Sequence, residues 1–363
     1  MLEIGIIGLP NVGKSTIFNA LNESACAESS NYPFCTIEPN VGIVEVPDER
    51  LKKLAEIEKS KKIVPAAIKF VDIAGLVKGA SKGEGLGNKF LSHIKEVDAV
   101  AMVVRCFNDP KVIHVSGKVD PAEDIKIINL ELILADLEQI DKAIARYEKN
   151  AKSGDKKDIK ILEILRYLKE NLEKEIPIRD LKLSDEDKEL IKEVQLITNK
   201  PIFYIGNISE DQIGKSANEL GLPVGSVLIC AKTEADLKQL SEQEREEYLN
   251  MIVGVGSPHP GAETAPLQWV IKKGYEILGL ISFLTAGELE ARAWTIKKGF
   301  KAPRAAGVIH GDFEKKFIAV DVAPYEKFVE ALGWVKAREK GWVRTEGKEY
   351  ELKDGDVVIF KHG

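Results

Sequence analysis

Nine consecutive residues near the start of the chain decide its fold. Residues 8–16 read Gly8-Leu9-Pro10-Asn11-Val12-Gly13-Lys14-Ser15-Thr16. The mostly apolar run Leu2–Ile7 before them predicts a buried strand, and the apolar spacing that begins at Ile17 predicts a helix. A strand, a glycine-bounded loop that carries Lys-Ser, and a helix are typical of a phosphate-binding loop. The alternative, a chance glycine turn, leaves the flanking strand and helix unexplained.

Each part of this loop has a physical role in holding phosphate. Glycines let backbone N–H groups turn inward, and the N-terminus of the following helix adds partial positive charge. The ammonium of Lys14 can reach the β- and γ-phosphates, which also makes Lys14 a candidate catalytic residue, and the Ser15 hydroxyl can bind Mg²⁺. The predicted nucleotide-binding residues of the loop are Asn11, Val12, Gly13, Lys14, Ser15 and Thr16.

The composition is that of an ordinary globular protein. The chain has 363 residues, 44% hydrophobic and 30% charged, which suits two or three domains. Its longest near-continuous apolar run, Ile277–Leu284, is too short for a membrane span, and the N-terminus lacks a signal-peptide pattern. Four scattered cysteines favour a reducing compartment over a disulfide framework. We therefore expect a cytoplasmic protein with no membrane partner.

Strands alternate with helical patterns in much of the chain. Five short apolar runs rich in β-branched residues predict buried strands: Ile4–Ile7, Ile68–Asp72, Ala99–Arg105, Pro201–Gly206 and Ser226–Cys230. Strands that alternate with helices are typical of βαβ units and a parallel sheet. We therefore predict an α/β fold with a phosphate-binding loop and a mostly parallel sheet over residues 1–124 and 197–279.

Two amphipathic helices interrupt this pattern. The first apolar stripe consists of Leu130, Leu134, Leu137, Ile140, Ile144 and Tyr147, and the second of Ile161, Leu165, Leu168 and Leu172. Lys152-Ser153-Gly154-Asp155 separates them. Two such helices joined by a short turn form an antiparallel hairpin. We predict an inserted helical hairpin over residues 125–196, with its charge-rich faces in solvent.

The chain changes character again at Leu280. Short strands and frequent glycine turns follow, which predict a compact α+β domain over residues 280–363. This part carries 15 Lys and Arg against 13 Asp and Glu, net +2, whereas the whole chain has a net charge of −6. The basic balance is a weak indication of nucleic-acid contact.

One segment of this last domain is strongly basic. Residues 292–304 contain no acidic residue and five basic ones: Arg292, Lys297, Lys298, Lys301 and Arg304. Trp294 and Phe300 lie among them. Cations interleaved with aromatic rings suit contact with RNA phosphates and bases. The alternative is a solvated strand and turn whose aromatic side chains belong to the core.

A second nucleotide motif follows the predicted strand Ile68–Asp72. Residues 72–75 read D-x-x-G, in which Asp72 can hold Mg²⁺ through water and the Gly75 N–H can contact the γ-phosphate. The glycine-rich segment after it is typical of a switch that a ligand orders. Thr36 stands at the usual distance for a first switch, where its hydroxyl would reach Mg²⁺. The predicted metal ligands are therefore Ser15, Thr36 and Asp72.

The base-reading motif departs from that of GTPases. The Asn-Lys-x-Asp pattern, whose aspartate binds guanine, is replaced by Asn207-Ile208-Ser209-Glu210. Glu210 is one methylene longer than aspartate, and Ile208 replaces the lysine that packs on the base. Adenine lacks the N1 proton of guanine, so the site should lose much of its guanine preference. The predicted base-site residues are Asn207, Ile208 and Glu210, with Ala231 and Lys232 from a segment similar to the Ser-Ala-Lys base loop.

Several segments together resemble the YchF family, the Obg-related ATPases that are called Obg-like ATPases in eukaryotes. Besides the phosphate loop, the matching segments are Asn31–Asn40, Asp72–Asn88, Asn207–Glu210, Phe283–Gly287, Arg292–Thr295 and Ala302–His310. The resemblance implies a G domain, an inserted helical hairpin and a C-terminal TGS domain, a small β-grasp-like module. It also implies Mg²⁺-dependent hydrolysis of ATP in preference to GTP.

The resemblance further implies partners and cellular context. Members of the family associate with ribosomes, and bacterial members are linked to oxidative-stress responses. We therefore expect contact with the large subunit or the 70S ribosome, with rRNA bound through the TGS domain.

Cys35 in the first switch would be oxidisable if its thiol were exposed, and an inert small residue is the alternative.

Catalysis needs a substitute for a missing side chain. Leu76 occupies the position of the glutamine that orients water in small GTPases. Some related GTPases also have a hydrophobic residue in place of that glutamine, and in them an asparagine that matches Asn11 supports K⁺ binding. K⁺ is thus a second candidate cofactor. The alternative is that Asn11 only shapes the turn. His114, in a predicted loop, is a candidate to polarise water, with a plain surface histidine as the alternative.

Three functions remain open on the sequence. The first is an ATPase switch that binds the ribosome. The second is an Obg-type GTPase whose motif Asn207–Glu210 tolerates guanine. The third is a nucleotide-binding module that hydrolyses too slowly to be an enzyme. Nucleotide competition separates the first two, and single-turnover hydrolysis tests the third.

Overall fold

Two six-stranded sheets organise the part of the chain that the structure describes. The structure is a computed structural model that describes residues 2–24, 40–73, 86–114, 117–151, 155–236 and 266–363. The strands are β1 (Glu3–Gly8), β2 (Val41–Glu45), β3 (Ile63–Val64), β4 (Ala67–Asp72), β5 (Ala99–Arg105), β6 (Ile202–Asn207), β7 (Val227–Ile229), β8 (Leu280–Ala286), β9 (Ala291–Lys297), β10 (Phe317–Pro324), β11 (Arg344–Glu346) and β12 (Asp356–His362).

The helices cover both sheets and form the insertion. They are α1 (Lys14–Ser24), α2 (Glu49–Glu58), α3 (Leu86–Glu96), α4 (Pro121–Ala151), α5 (Lys156–Leu172), α6 (Asp185–Leu190), α7 (Ala231–Asp236), α8 (Pro266–Ile277), α9 (Ala302–Ile309), α10 (Gly311–Lys315), α11 (Tyr325–Ala331) and α12 (Trp334–Glu339). Within the described ranges, no helix is both long and apolar enough to cross a membrane.

The first sheet has the order β2-β4-β1-β5-β6-β7. All neighbouring strands are parallel except β2, which runs antiparallel to β4. The five predicted strands are confirmed, each within one residue at either end, while β2 was not predicted. Because parallel strands end at the same edge, the loops after β1, β4 and β6 lie near one another. This edge carries the candidate site.

Helices α1 and α8 pack on this sheet through mostly apolar faces. Ile17 and Leu21 of α1 are completely buried, and burial of such a side chain contributes roughly 1.5–3 kcal/mol. Helix α8 approaches the sheet closely at Gly274, where an added Cβ would lie 2.5 Å from Ile4 Cδ1. The phosphate loop between β1 and α1 is thus held by a rigid, well-packed frame.

Helices α4 and α5 form the predicted antiparallel pair. Arg166 Nη2 of α5 lies 2.9 Å from Glu148 Oε1 of α4, and Lys169 Nζ lies 2.7 Å from Asp141 Oδ1. Because the later residue of α5 pairs with the earlier residue of α4, the two helices run in opposite directions. They enclose a hydrophobic cluster of their own, which includes Ile133, Ile140, Tyr147, Leu165 and Leu168.

The predicted stripe of α4 is wrong at its beginning. Leu130 and Leu134 are 38% and 40% exposed, and Ile133 packs against α5 in their place. The reason is that the first turns of α4 face a different partner. Ile128 and Leu132 pack into the core of the first sheet, so the inward face of α4 rotates before it reaches α5.

The second sheet has the order β11-β10-β12-β8-β9-β3. Strands β8 and β12 pair in parallel, whereas β8–β9, β10–β12 and β10–β11 are antiparallel. The edge strand β3 comes from the first part of the chain, and its Ile63 and Val64 pair with Ala291 and Arg292. The C-terminal sheet is therefore completed by a strand that precedes it by more than two hundred residues in the sequence.

Candidate functional site

The phosphate loop has the left-handed backbone that its sequence allows. Asn11 has φ 62° and Gly13 has φ 90°, a region that favours asparagine and glycine. A Cβ at Gly13 would lie 2.2 Å from Asn207 Nδ2, and one at Gly8 would lie 2.7 Å from the Val103 carbonyl oxygen. Close neighbours therefore require glycine at both positions, and the left-handed turn also requires it at Gly13.

The loop borders an open cavity of about 590 Å³. Its lining residues are Leu9, Pro10, Asn11, Gly13, Lys14, Ser15, Thr16, Asn40 and Asp72. Five of these are predicted nucleotide-binding residues, and Ser15 and Asp72 are predicted metal ligands. Val12 is buried beneath the loop, 1% exposed, so its contribution to phosphate binding is limited to its backbone.

Lys14, Ser15 and Asp72 meet in this cavity. Lys14 Nζ forms an ion pair with Asp72 Oδ1, and Ser15 Oγ donates to Asp72 Oδ2 at 3.0 Å. The Lys14 and Asp72 side chains are only 11% and 15% exposed. A cation and a carboxylate so shielded from water are each stabilised by the other. The Lys14 ammonium is thus paired with Asp72 in this structure.

The donor set suits a hard divalent cation. A hydroxyl and a carboxylate 3.0 Å apart are the oxygen ligands that Mg²⁺ prefers. Within the ranges that the structure describes, no group of three or more His, Cys, Asp and Glu residues could hold a metal. The Ser15 hydroxyl and the Asp72 carboxylate fit Mg²⁺, which usually takes one or two protein ligands and completes its shell with phosphate oxygens and water. The predicted Thr36 and Gly75 lie outside the described residues, as do Cys35 and Leu76.

The segment after β5 reaches the phosphate loop. Asn11 Nδ2 donates to the Ile113 carbonyl at 3.2 Å. His114, the next residue, is 7% exposed, and its Nε2 lies 3.0 Å from Asp124 Oδ2. The alternative of a plain surface histidine is therefore wrong, because a buried carboxylate from α4 holds the ring inside the protein.

A buried arginine that the sequence analysis missed shapes this segment. Arg105 is 1% exposed. Its guanidinium donates to the carbonyls of Phe107, Val112 and Asp109 at 3.0, 3.0 and 3.3 Å, and lies 4.5 Å from the Phe107 ring centroid. These bonds fold the segment back towards the phosphate loop. An arginine at the end of the otherwise apolar run Ala99–Arg105 was the available signal.

Two of the four cysteines are described by the structure, and both are free and buried. Burial, with a smaller effect from the Asp124 carboxylate, raises the pKa of the Cys106 thiol to about 12. Cys106 is thus an unreactive thiol at neutral pH. Cys26 and Cys35 lie outside the described residues.

Asn207 connects the phosphate loop to the base loop. Its Nδ2 donates to the Val12 carbonyl at 2.9 Å, and its Oδ1 accepts from the Ala231 N–H at 3.1 Å. The side chain is 4% exposed. Asn207 therefore links the loop at Val12 to the segment at Ala231, which are distant in the sequence.

The other predicted base-site residues divide into two groups. Ile208 is 6% exposed and packs in the core of the first sheet. Glu210 and Lys232 are at the surface, with Lys232 Nζ 3.6 Å from Glu210 Oε1. Thr233 Oγ1 donates to the same Glu210 oxygen at 3.5 Å. A carboxylate is thus available at the base loop, with a cation and a hydroxyl from α7 beside it.

Comparison with known proteins agrees with this architecture. A family model described as 50S ribosome-binding GTPase matches residues 3–207, and the YchF-GTPase_C model, described as a protein of unknown function, matches residues 280–363. The Ribosome-binding ATPase YchF of Bacillus subtilis is 51% identical over 99% of both chains. That of Escherichia coli O157:H7 is 48% identical, over 99% of this chain and 98% of its own.

A solved structure extends the likeness to eukaryotes. The Schizosaccharomyces pombe YchF GTPase superimposes with a TM-score of 0.85 and is 37% identical, over 99% of this chain and 97% of its own. Identity of this level over the full length includes the phosphate loop, the helical insertion and the C-terminal sheet. The chain therefore belongs to the YchF family.

Proposed function

We propose that this chain is a P-loop switch that hydrolyses ATP with Mg²⁺ and binds the ribosome. The convergence of Lys14, Ser15 and Asp72 in the cavity at the phosphate loop carries the nucleotide part of the proposal. The names of the Bacillus subtilis and Escherichia coli relatives, both ribosome-binding ATPases, support the choice of nucleotide and the ribosomal partner. The expected location is the cytoplasm.

The site residues divide by role. Ser15 and Asp72, with Thr36 from the first switch, would hold Mg²⁺, which when bound neutralises phosphate charge during transfer. Lys14 and the backbone N–H groups of Asn11 to Thr16 bind the phosphates, and Gly75 contacts the γ-phosphate. Asn207 keeps the base loop in place, while Glu210 and the Ala231–Lys232 segment contact the base.

We expect the base site to prefer ATP. Competition against a fluorescent ATP analogue should show ATP binding at least about tenfold tighter than GTP, a difference of about 1.4 kcal/mol. Glu210→Asp, which restores the carboxylate length of GTPases, should lower the ratio of ATP affinity to GTP affinity. Glu219→Asp, at another exposed glutamate that follows β6, is the matched control and should leave the ratio unchanged. GTP binding tenfold tighter than ATP in the parent protein would refute the preference. Ile208→Lys is a poor test, because it places a charge in the core.

A GTPase is the second candidate. The family model described as 50S ribosome-binding GTPase and the Schizosaccharomyces pombe YchF GTPase favour it. The same competition experiment decides between the two nucleotides. Single-turnover hydrolysis of the preferred nucleotide then distinguishes either enzyme from a binding module.

The domain organisation that goes with this function has three parts. We propose a G domain over residues 1–124 and 197–279, a helical hairpin over 125–196 and a TGS domain over 280–363. The parallel pairing of β8 with β12, the first and last strands of residues 280–363, supports a β-grasp arrangement. The large subunit or the 70S ribosome is the proposed partner, with rRNA bound through the TGS domain.

The proposed rRNA contact uses cations more than aromatic rings. Lys297, Lys298 and Arg304 are exposed. The other two of the five cations have acidic neighbours. Lys301 forms an ion pair with Glu349, and Arg292 Nη1 lies 3.8 Å from Glu290 Oε1. Arg292 and Arg304 stand 4.1 Å from the ring centroids of Trp294 and Phe300, and both rings pack against the core of the second sheet. One face of each ring is therefore already covered, which favours phosphate contact over base stacking.

Neutralising the exposed cations should weaken ribosome binding. Changing Lys297, Lys298 and Arg304 to Gln removes up to three phosphate contacts, so the slope of log affinity against log salt should fall by up to about 2 to 3. Co-sedimentation with ribosomes across a salt series measures this slope. A control variant with the same loss of charge changes three exposed lysines at α2 to Gln: Lys52, Lys53 and Lys59. Equal binding by the patch variant and the parent at every salt concentration would mean that the patch is ordinary surface.

A further inference from the structure

Strand β9 is an open edge of the second sheet for most of its length. Its outer neighbour β3 pairs with it only at Ala291 and Arg292. The residue after β3 is Pro65, which has no N–H to continue the pairing, and the chain then enters β4 of the first sheet. Among the residues that the structure describes, no strand therefore lies beside residues 293–297 on this side.

The open edge presents backbone donors and acceptors. The Ala291 N–H donates to the Lys62 carbonyl on the β3 side. Because backbone groups of a strand alternate between its two sides, those of Ala293, Thr295 and Lys297 point to the same side as those of Ala291. The residues between them form the ladder to β8. The N–H and carbonyl of Thr295 and the N–H of Lys297 are thus directed away from the sheet.

A groove of about 470 Å³ runs along this edge. Trp294, Phe300 and Val308 line it on the side of the second sheet and α9, and Leu2 and residues 65–68 line it on the side of the first sheet. Successive side chains of an extended chain point in opposite directions. A chain laid along β9 would therefore find apolar contacts for both sets of its side chains.

The charge of the groove selects its occupant. Arg292 and Lys297 line the groove, and none of its described lining residues is acidic. Glu290, whose Oε1 lies 3.8 Å from Arg292 Nη1, is outside the lining. An acidic peptide in an extended conformation matches both the cations and the open backbone edge. RNA has the matching charge but lacks the row of amide groups that pairs with a strand.

We propose that residues 293–297 of β9 bind an extended acidic segment of a partner protein by strand addition. Main-chain hydrogen bonds at Thr295 and Lys297 supply affinity, and the apolar walls with the two cations supply specificity. At about 3.3 Å per residue, this edge takes a segment of about five residues. The groove shares no lining residue with the cavity at the phosphate loop. The proposal therefore goes beyond nucleotide hydrolysis and rRNA contact.

Amide hydrogen exchange in the full-length protein tests whether the edge is open. The N–H groups of Thr295 and Lys297 should exchange rapidly. Those of Trp294 and Ile296, which face β8, should exchange at least about 100-fold more slowly. Equal protection at all four positions would show that another segment of this chain already covers the edge, and it would overturn the proposal.

The binding test uses a synthetic peptide in which valine and threonine alternate between terminal aspartates. Its counterpart carries lysine in place of each aspartate. In NMR spectra of the full-length protein, the acidic peptide should shift the Thr295 and Lys297 amides with a dissociation constant below about 1 mM, and the lysine peptide should bind at least about tenfold more weakly. Absence of these shifts at about 1 mM acidic peptide would overturn the proposal. A uridine oligonucleotide that displaces the peptide from these amides at a lower concentration would assign the edge to RNA instead.

Two substitutions at Lys297 separate the backbone contribution from the charge. Lys297→Gln removes the charge alone and should weaken binding of the acidic peptide by about threefold or more. Lys297→Pro also removes the outward N–H and should weaken binding by about tenfold or more. Lys336→Gln, at an exposed lysine of α12, is the matched control and should bind the peptide as the parent does. Parent affinity in both Lys297 variants would contradict strand addition at this edge.

Discussion

Replacing Lys14 with Ala should weaken ATP binding by about 100-fold or more, the equivalent of one or two lost charge-assisted hydrogen bonds. Lys14 is the cation of the phosphate loop, and its side chain lies in the cavity that the loop borders. The substitution has a second consequence, because Asp72, whose side chain is 15% exposed beside Lys14, loses its ion-pair partner. Titration with a fluorescent ATP analogue in the presence of Mg²⁺ measures the effect.

The control for this prediction is a lysine of the same domain away from the site. Lys52 lies on α2, and its side chain is 69% exposed. Its Nζ lies 3.1 Å from Glu49 Oε2 on the same helix. Lys52→Ala should bind ATP as the parent does. A thermal melt without nucleotide shows whether Lys14→Ala is folded. Parent affinity in a folded Lys14→Ala protein would contradict the assignment of this loop to phosphate binding.

Removing the side chains of Asn11 and His114 should separate hydrolysis from binding. His114→Ala should lower turnover by about 100-fold or more with little change in ATP affinity, as expected when an interaction is made mainly in the transition state.

Asn11 should act on hydrolysis through K⁺. Its Nδ2 is engaged with the Ile113 carbonyl, so its Oδ1 is the atom that can coordinate a cation beside the phosphates. Asn11→Ala should therefore abolish the stimulation of hydrolysis by K⁺ over Na⁺ while ATP remains bound.

The backbone at Asn11 calls for a matched variant. Because its φ is 62°, alanine introduces strain that glycine does not. Asn11→Gly removes the same amide without this strain, and both variants should lose the K⁺ response. Parent rates in K⁺ buffer for Asn11→Gly and His114→Ala would show that neither residue takes part in hydrolysis. Leu76→Gln is not expected to restore a fast rate, since a glutamine also needs a matching switch conformation.

The local features of the fold could be read from the sequence. The loop Gly8–Thr16, the strands β1 and β5, and the existence of a helical hairpin depend on spacings within about twenty residues. Hydrophobic periodicity, glycine positions and β-branched runs act at that range, so they determine local conformation before any tertiary contact forms. The error in the predicted stripe, at Leu130 and Leu134, arose where the first turns of α4 pack against the core of the first sheet.

The tertiary structure alone decided how these parts meet. Asn207 binds the Val12 carbonyl across 195 residues of sequence, and β3, from the first part of the chain, pairs with β9 of the second sheet. The role of Arg105 and the burial of His114 against Asp124 were likewise invisible to periodicity. Such contacts depend on chain segments that only the packing of the sheet and the insertion brings together. Residue type and spacing determine which chemistry is available, but long-range closure determines which groups are oriented to perform it.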